Sequence, residues 1–198
     1  MGSKGDPPAQ LLADHKATPF IRAYYEFNQL KQLYRQGWLR KGVPRERCES
    51  VAEHTFSMAM LAMLLVDAYF PQLDGLRVLR LALLHDIGEV HAGDITPADQ
   101  VDVNEKHRLE RDSVQQVMAG LPNGAEYMTL WQEYEDGTST EARFVKQIDR
   151  LEMGLQASVY QMQGLVDGSE FIHSAEDALS APQLRELLQE IVNLLNVG

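Results

Sequence analysis

The chain has 198 residues, with 18 Lys and Arg against 29 Asp and Glu and a formal net charge of -11 at pH 7. That length predicts one compact domain, and the acidic balance excludes a nucleic-acid polymer as partner, because such binders need a basic stripe and the cations do not cluster into one. Cys48 is the only cysteine, which excludes an internal disulfide or a zinc finger and predicts a reducing, cytoplasmic setting.

Taken in chain order, apolar residues recur at helical spacing almost throughout and strand-like alternation is nearly absent, so the expected fold is all-α with about seven helices. Met1-Gly2-Ser3-Lys4-Gly5-Asp6 has no apolar signal core, and Asp6 stands where a myristoylation signal carries Ser or Thr. Residues 1 to about 15 are expected as a flexible tail, with the domain spanning 16–198. The first helix is predicted over 18–35, opened by Thr18-Pro19. A loop follows over 37–50, with Gly42, Pro44 and the arginines Arg40, Arg45 and Arg47. Ser50 with Glu53 predicts a capping box for the second helix, which runs to about Tyr69. Its most apolar stretch, Met58 to Val66, falls far short of the roughly 20 residues a membrane span needs, so no membrane partner is expected. Pro71 and Gly75 separate it from a third helix over 74–88, ending at Gly88. The segment 89–104 holds Gly93, Pro97 and three aspartates and reads as a loop beside a site. Helices are then predicted over 105–119, 124–135, 139–164 and 181–196.

Four polar residues sit badly with this apolar pattern. His54 shares a helix face with Met58, Leu61 and Leu65 and so points inward; alone it would pass for a core histidine with a satisfied ring. His85 and Asp86 follow Leu81-Ala82-Leu83-Leu84 without a gap. An ionised Asp buried there without a partner costs several kcal/mol or a raised pKa, on the order of what charge burial costs elsewhere, and a cation removes the problem. Asp149 adjoins the Phe144, Ile148, Leu151 and Leu155 stripe, where a salt bridge to Arg150 or Arg143 is the plain alternative. Jointly, two imidazoles and two carboxylates make a mixed nitrogen and oxygen donor set, suited to a divalent transition ion rather than to calcium. Glu89, three residues after Asp86, faces the same cavity if the turn continues, and otherwise is a surface carboxylate at a helix end.

Val51-Ala52-Glu53-His54, Leu-Leu-His-Asp-Ile-Gly-Glu-Val-His-Ala-Gly-Asp-Ile-Thr-Pro and Phe-Val-Lys-Gln-Ile-Asp-Arg-Leu-Glu together resemble the HD-domain superfamily, and more narrowly its 5'-deoxynucleotidase branch, from about Phe20 to Gln163. The resemblance implies a helical HD domain, commonly a homodimer, that removes phosphate from deoxyribonucleoside 5'-monophosphates with one divalent metal ion (Mn, Co, Fe, Ni, Cu, Zn or Mg). By position it implies His54, His85, Asp86 and Asp149 as metal ligands, Glu89 as catalytic acid or base, and Asp94 as a holder of the attacking water or substrate. Arg35 and Trp38 look like the family's phosphate- and sugar-side residues, with two residues between them as in the eukaryotic form rather than none as in the bacterial one. Thr96 fits the branch as a wall of the nucleotide pocket.

His91 and His107 lie where two-metal relatives carry further ligands; His91 can reach the cavity, whereas His107 sits in a charged run that reads as a solvated face. Attraction of an anionic substrate must be local in so acidic a chain, from the metal, Arg35 and the Arg40 and Lys41 region. Two other functions fit the same residues: a phosphohydrolase or phosphodiesterase of this fold acting on another small phosphorylated metabolite, and a helical interaction protein whose metal is structural.

Overall fold

The structure is a computed structural model that describes residues 2–196. Met1 of the expected tail and Val197 and Gly198 of the expected domain lie outside the described residues. The helices are α1 (Pro19–Phe27), α2 (Gln36–Arg40), α3 (Val51–Tyr69), α4 (Gly75–Leu84), α5 (Glu89–Ala92), α6 (Val103–Met118), α7 (Gly124–Asp136), α8 (Thr140–Met162), α9 (Ser169–Ala178) and α10 (Pro182–Leu195). No strand occurs among the described residues, and the fold is all-α. The predicted caps form. The Thr18 hydroxyl accepts from the Ile21 amide, and Ser50 and Glu53 make the reciprocal capping box.

Several boundaries differ from the sequence expectation. The first helix stops at Phe27 and passes through a 3-10 turn, Asn28–Lys31, instead of reaching 35. Long-range backbone pairing replaces it. The Val51 amide donates to the Leu33 carbonyl at 3.0 Å and the Arg35 amide to the Glu49 carbonyl at 3.1 Å, so Arg35 takes an extended conformation just before α2. Both α2 and α5 lie in segments expected as loops, and α9 occupies residues left without an element. The helix expected over 74–88 ends at Leu84, leaving 85–88 in turns. Residues 2–5 are not a free tail. The Gln36 side chain bonds both the amide and the carbonyl of Gly2 at 3.0 Å, and the Lys4 amide donates to Gln32 at 2.7 Å.

The core is organised around α8, against which α3, α4, α7, α9 and α10 pack. Met58, Leu81, Ile148 and Leu151 are fully buried there, each contributing about 1.5–3 kcal/mol of apolar burial. A second cluster joins Val51, Ile87, Val114 and Trp131. Helix α3 is long and apolar enough by composition to cross a membrane, yet it brings His54 into the interior between α4 and α8. Gly88 lets the turn after α4 touch α6, because a Cβ there would stand 2.8 Å from Glu110 Cβ and 3.2 Å from its Cα. Three independent elements thereby present polar side chains to one buried point.

Candidate active site

His54 from α3, His85 from the end of α4 and Asp149 from α8 converge. His54 Nε2 lies 3.3 Å from His85 Nε2 and 3.2 Å from Asp149 Oδ1. Asp86 Oδ2 lies 3.0 Å from His85 Nε2 and 3.8 Å from His54 Nε2. Both histidines are buried, and their outer nitrogens are engaged: His54 Nδ1 with Glu152 Oε2 at 2.6 Å, and His85 Nδ1 with the Ala82 carbonyl at 2.7 Å. With each Nδ1 engaged outward, the two Nε2 atoms face each other across the site.

This arrangement fits a divalent ion. Metal–ligand bonds of about 2.1 Å at right angles place neighbouring donors about 3.0 Å apart, close to the separations observed. Burial and Arg35 oppose a charge on His54, but hydrogen bonds to Asp149 and Glu152 lift its pKa to about 10. The carboxylates that favour a proton there favour a cation equally, and metal binding would displace that proton. Burial pushes Asp149 upward, yet the His54 hydrogen bond and the neighbouring imidazoles hold it well below the usual carboxylate range. Asp86 is likewise held low, against burial, by His85, Arg35 and His54.

Arg35 lies beside this cluster. Its Nη1 is 3.5 Å from Asp86 Oδ2, 3.5 Å from Asp94 Oδ1 and 3.9 Å from Glu89 Oε1. Burial disfavours its charge, but Asp94, Asp86 and Glu89 together raise its pKa further, so it stays a cation. Asp94 uses its other oxygen to accept from the Gln36 amide at the start of α2, so both of its oxygens serve to orient Arg35 and α2. Glu89 is buried, and its Oε2 has no hydrogen-bond partner. Burial first, then the charges of Asp86 and Asp94, push its carboxyl well above the usual range.

These groups line a cleft of about 940 Å³, the size of a small-molecule site. Trp38 is one wall; it is 3 % exposed, its indole N–H donates to Glu49 Oε1 at 2.7 Å, and its ring packs against Phe171 at 4.1 Å and Tyr160 at 5.3 Å. It is thus both a core anchor and a cleft wall. Thr96 also lines the cleft, but its hydroxyl donates to Asp99 Oδ2 at 2.8 Å and caps the turn Pro97–Asp99. Arg40 and Lys41, expected to attract anions, are paired with Asp99 and Glu170. The cations that line the cleft are instead Arg35, Lys106, Arg108, Arg111, Lys146 and Arg150. His91 is drawn away to Glu26 at 3.1 Å. His107 reaches the cleft wall but stacks on Trp131 and faces Glu135 at 3.5 Å. Neither joins the His54, His85 and Asp149 group.

Sequence reasoning missed Glu152 and Glu49. Glu152 lies one helical turn after Asp149, so the i, i+3 spacing within Asp-Arg-Leu-Glu was its available signal. Glu49 had none, since a residue in an irregular segment acquires its neighbours from the fold. Glu152→Gln is expected to weaken divalent-metal affinity about 10–100-fold, because the amide still fits while the anionic partner that orients His54 is lost. Isothermal titration with manganese checks this, and unchanged affinity would remove Glu152 from the metal centre.

The HD domain family matches residues 27–192. The human protein named 5'-deoxynucleotidase HDDC2 is 38% identical over 181 residues, covering 89% of this chain and 86% of its own. The mouse protein of that name is 41% identical over 167 residues, covering 82% of this chain and 81% of its own. Among solved structures, the PH0347 protein from Pyrococcus horikoshii OT3 superposes with a TM-score of 0.72 at 31% identity, over 88% of this chain and 97% of that one. With the family spanning most of the sequence and the His54, His85-Asp86 and Asp149 motifs converging in one cleft, the chain belongs to the HD domain family.

Proposed function

We propose that the chain is a metal-dependent 5'-deoxynucleotidase, removing the 5'-phosphate from deoxyribonucleoside 5'-monophosphates. The observation that carries this is the convergence, in one buried cleft, of the His54, His85, Asp86 and Asp149 donors with Arg35 and the unpartnered carboxyl oxygen of Glu89. A structural metal needs neither of the last two. The likeness to proteins named 5'-deoxynucleotidase over most of the chain supports the substrate class.

His54, His85, Asp86 and Asp149 would hold one divalent ion. When bound, that ion supplies a low-pKa water and withdraws charge from the phosphoryl oxygens. The donor set accepts Mn, Co, Fe, Ni, Cu, Zn or Mg, with affinity ordered more by the ion than by the site. Arg35, kept charged and aimed by Asp94, binds phosphoryl oxygens through its planar fork. Glu89, kept protonated by burial and its anionic neighbours, gives its proton to the departing 5'-oxygen. Trp38, fixed between Phe171 and Tyr160, walls the sugar side, where its ring would discriminate against a 2'-hydroxyl sterically. Cys48, the single thiol, fits a cytoplasmic enzyme. Phe56, Met60 and Leu64, exposed at four-residue spacing on α3, supply an apolar stripe for a homodimer.

The test is phosphate release by metal-stripped protein from matched deoxyribo- and ribonucleoside 5'-monophosphates, with manganese, cobalt, zinc or magnesium restored singly. Release confined to the deoxy series and dependent on metal is expected. Equal release from both series would discard the sugar-selecting role of Trp38. No release from either would discard the nucleotidase reading in favour of another phosphoester or a structural metal.

A further inference from the structure

The cleft has two unlike sides. Around α2 and α9 its wall is aromatic and apolar, from Trp38 and Phe171. The wall from α6, α7 and α8 carries five cations, Lys106, Arg108, Arg111, Lys146 and Arg150, among five acids, Glu110, Glu135, Asp136, Asp149 and Glu152. Each of those acids already has a partner: Glu110 lies 3.5 Å from Lys106, Glu135 lies 3.5 Å from His107, Asp136 accepts from Gln132 at 3.1 Å, and Asp149 and Glu152 lie 3.2 Å and 2.6 Å from the His54 ring nitrogens. Arg111, Lys146 and Arg150, by contrast, have no carboxylate within 4.0 Å among the described residues. In a chain with 29 acidic residues and a net charge of -11, three cations without a carboxylate partner on one concave wall are free to meet the charges of an anionic ligand. The wall adjoins the metal cluster. Lys146 Nζ stands 4.6 Å from the centre of the Tyr134 ring, and that ring is 5.5 Å from the His85 imidazole.

A deoxyribonucleoside monophosphate, with its sugar at Trp38 and its single phosphate at the metal cluster, leaves this wall uncovered. We propose that the α6–α8 wall is a second anion subsite, which takes the outer phosphates of a nucleoside di- or triphosphate and makes such nucleotides competitive inhibitors. The proposal rests on the nucleotidase reading for the placement of the sugar. The in-line geometry of phosphoryl transfer explains inhibition rather than turnover. The attacking oxygen enters opposite the leaving 5'-oxygen, and in a nucleoside di- or triphosphate an outer phosphate held on the α6–α8 wall would take that place.

Inorganic tripolyphosphate is the probe, used against deoxynucleotide hydrolysis with free metal held constant by a metal buffer, and titrated calorimetrically into metal-stripped protein. Tripolyphosphate is expected to bind and inhibit more tightly than orthophosphate. Lys146→Ala with Arg150→Ala is expected to raise its inhibition and dissociation constants about tenfold or more while KM for the monophosphate stays unchanged. Arg111→Ala, on a different helix, gives an independent second variant with the same expected direction. Equal affinity for tripolyphosphate and orthophosphate would overturn the proposal. So would constants unmoved by the substitutions, or a rise in KM by the same factor, which marks a general surface potential. If the protein hydrolyses no monophosphate, the calorimetric arm still reads the subsite, so failure of the nucleotidase reading and failure of this proposal are distinguishable.

Discussion

Asp149→Ala and His85→Ala are each expected to lose metal and turnover together. His54 Nε2 lies 3.2 Å from Asp149 Oδ1 and 3.3 Å from His85 Nε2, so each substitution removes one donor from a buried set with no replacement beside it. Affinity should fall beyond the roughly 10–100-fold that accompanies loss of a supporting residue. Turnover should fall on the order of 10³-fold or more, since several kcal/mol of transition-state charge stabilisation is lost and each 1.4 kcal/mol is about tenfold. Metal content after dialysis and phosphate release in the same preparation check this. A variant that keeps stoichiometric metal but no activity would assign that residue to the chemistry rather than to coordination. Asp149→Asn serves as a milder companion, keeping the side-chain volume and thus the packing of α8.

Glu89→Gln separates the other way. Metal binding is expected to stay within a few-fold of the parent while turnover drops about 10²–10⁴-fold, the range for a positioned proton donor. The substitution is close to isosteric with the protonated carboxyl that burial, Asp86 and Asp94 favour, so folding should be undisturbed. What it removes is a transferable proton at the oxygen that has no partner in the structure. Turnover retained in Glu89→Gln would take this residue out of the mechanism. The pair of experiments is informative jointly, because metal loss and proton-transfer loss predict opposite results for the metal content of an inactive enzyme.

Much of the site was legible in the residues because its parts lie on regular helices. His54 lies on an apolar stripe of period 3.6, Asp149 adjoins another, and His85-Asp86 breaks an apolar run, so jointly they announce buried polar groups that need a partner. The capping box at Ser50 and Glu53 was likewise local, and it fixed the start of α3 and therefore the inward face of His54. Failures fell where long-range pairing outcompetes local preference. Helical periodicity continues past Phe27, yet backbone bonds between 33–35 and 49–51 end the helix and make Arg35 extended, which is what turns its guanidinium toward Asp86 and Asp94. At the start of the expected tail, Gly2 and Lys4 are held by the Gln36 side chain and the Gln32 carbonyl, partners that no local pattern announces.

The sequence by itself determined the all-helical class, the caps that start α1 and α3, and the donor types that converge, because these depend on neighbours within a turn or two of helix. Only the tertiary structure decided how those donors face one another, that Glu152 turns the His54 ring, that Asp94 is engaged with Arg35, that His91 leaves for Glu26, and that Lys146 and Arg150 rather than Arg40 and Lys41 face the cleft. Each of those outcomes depends on contacts between residues far apart in the chain, where spacing along a helix carries no information.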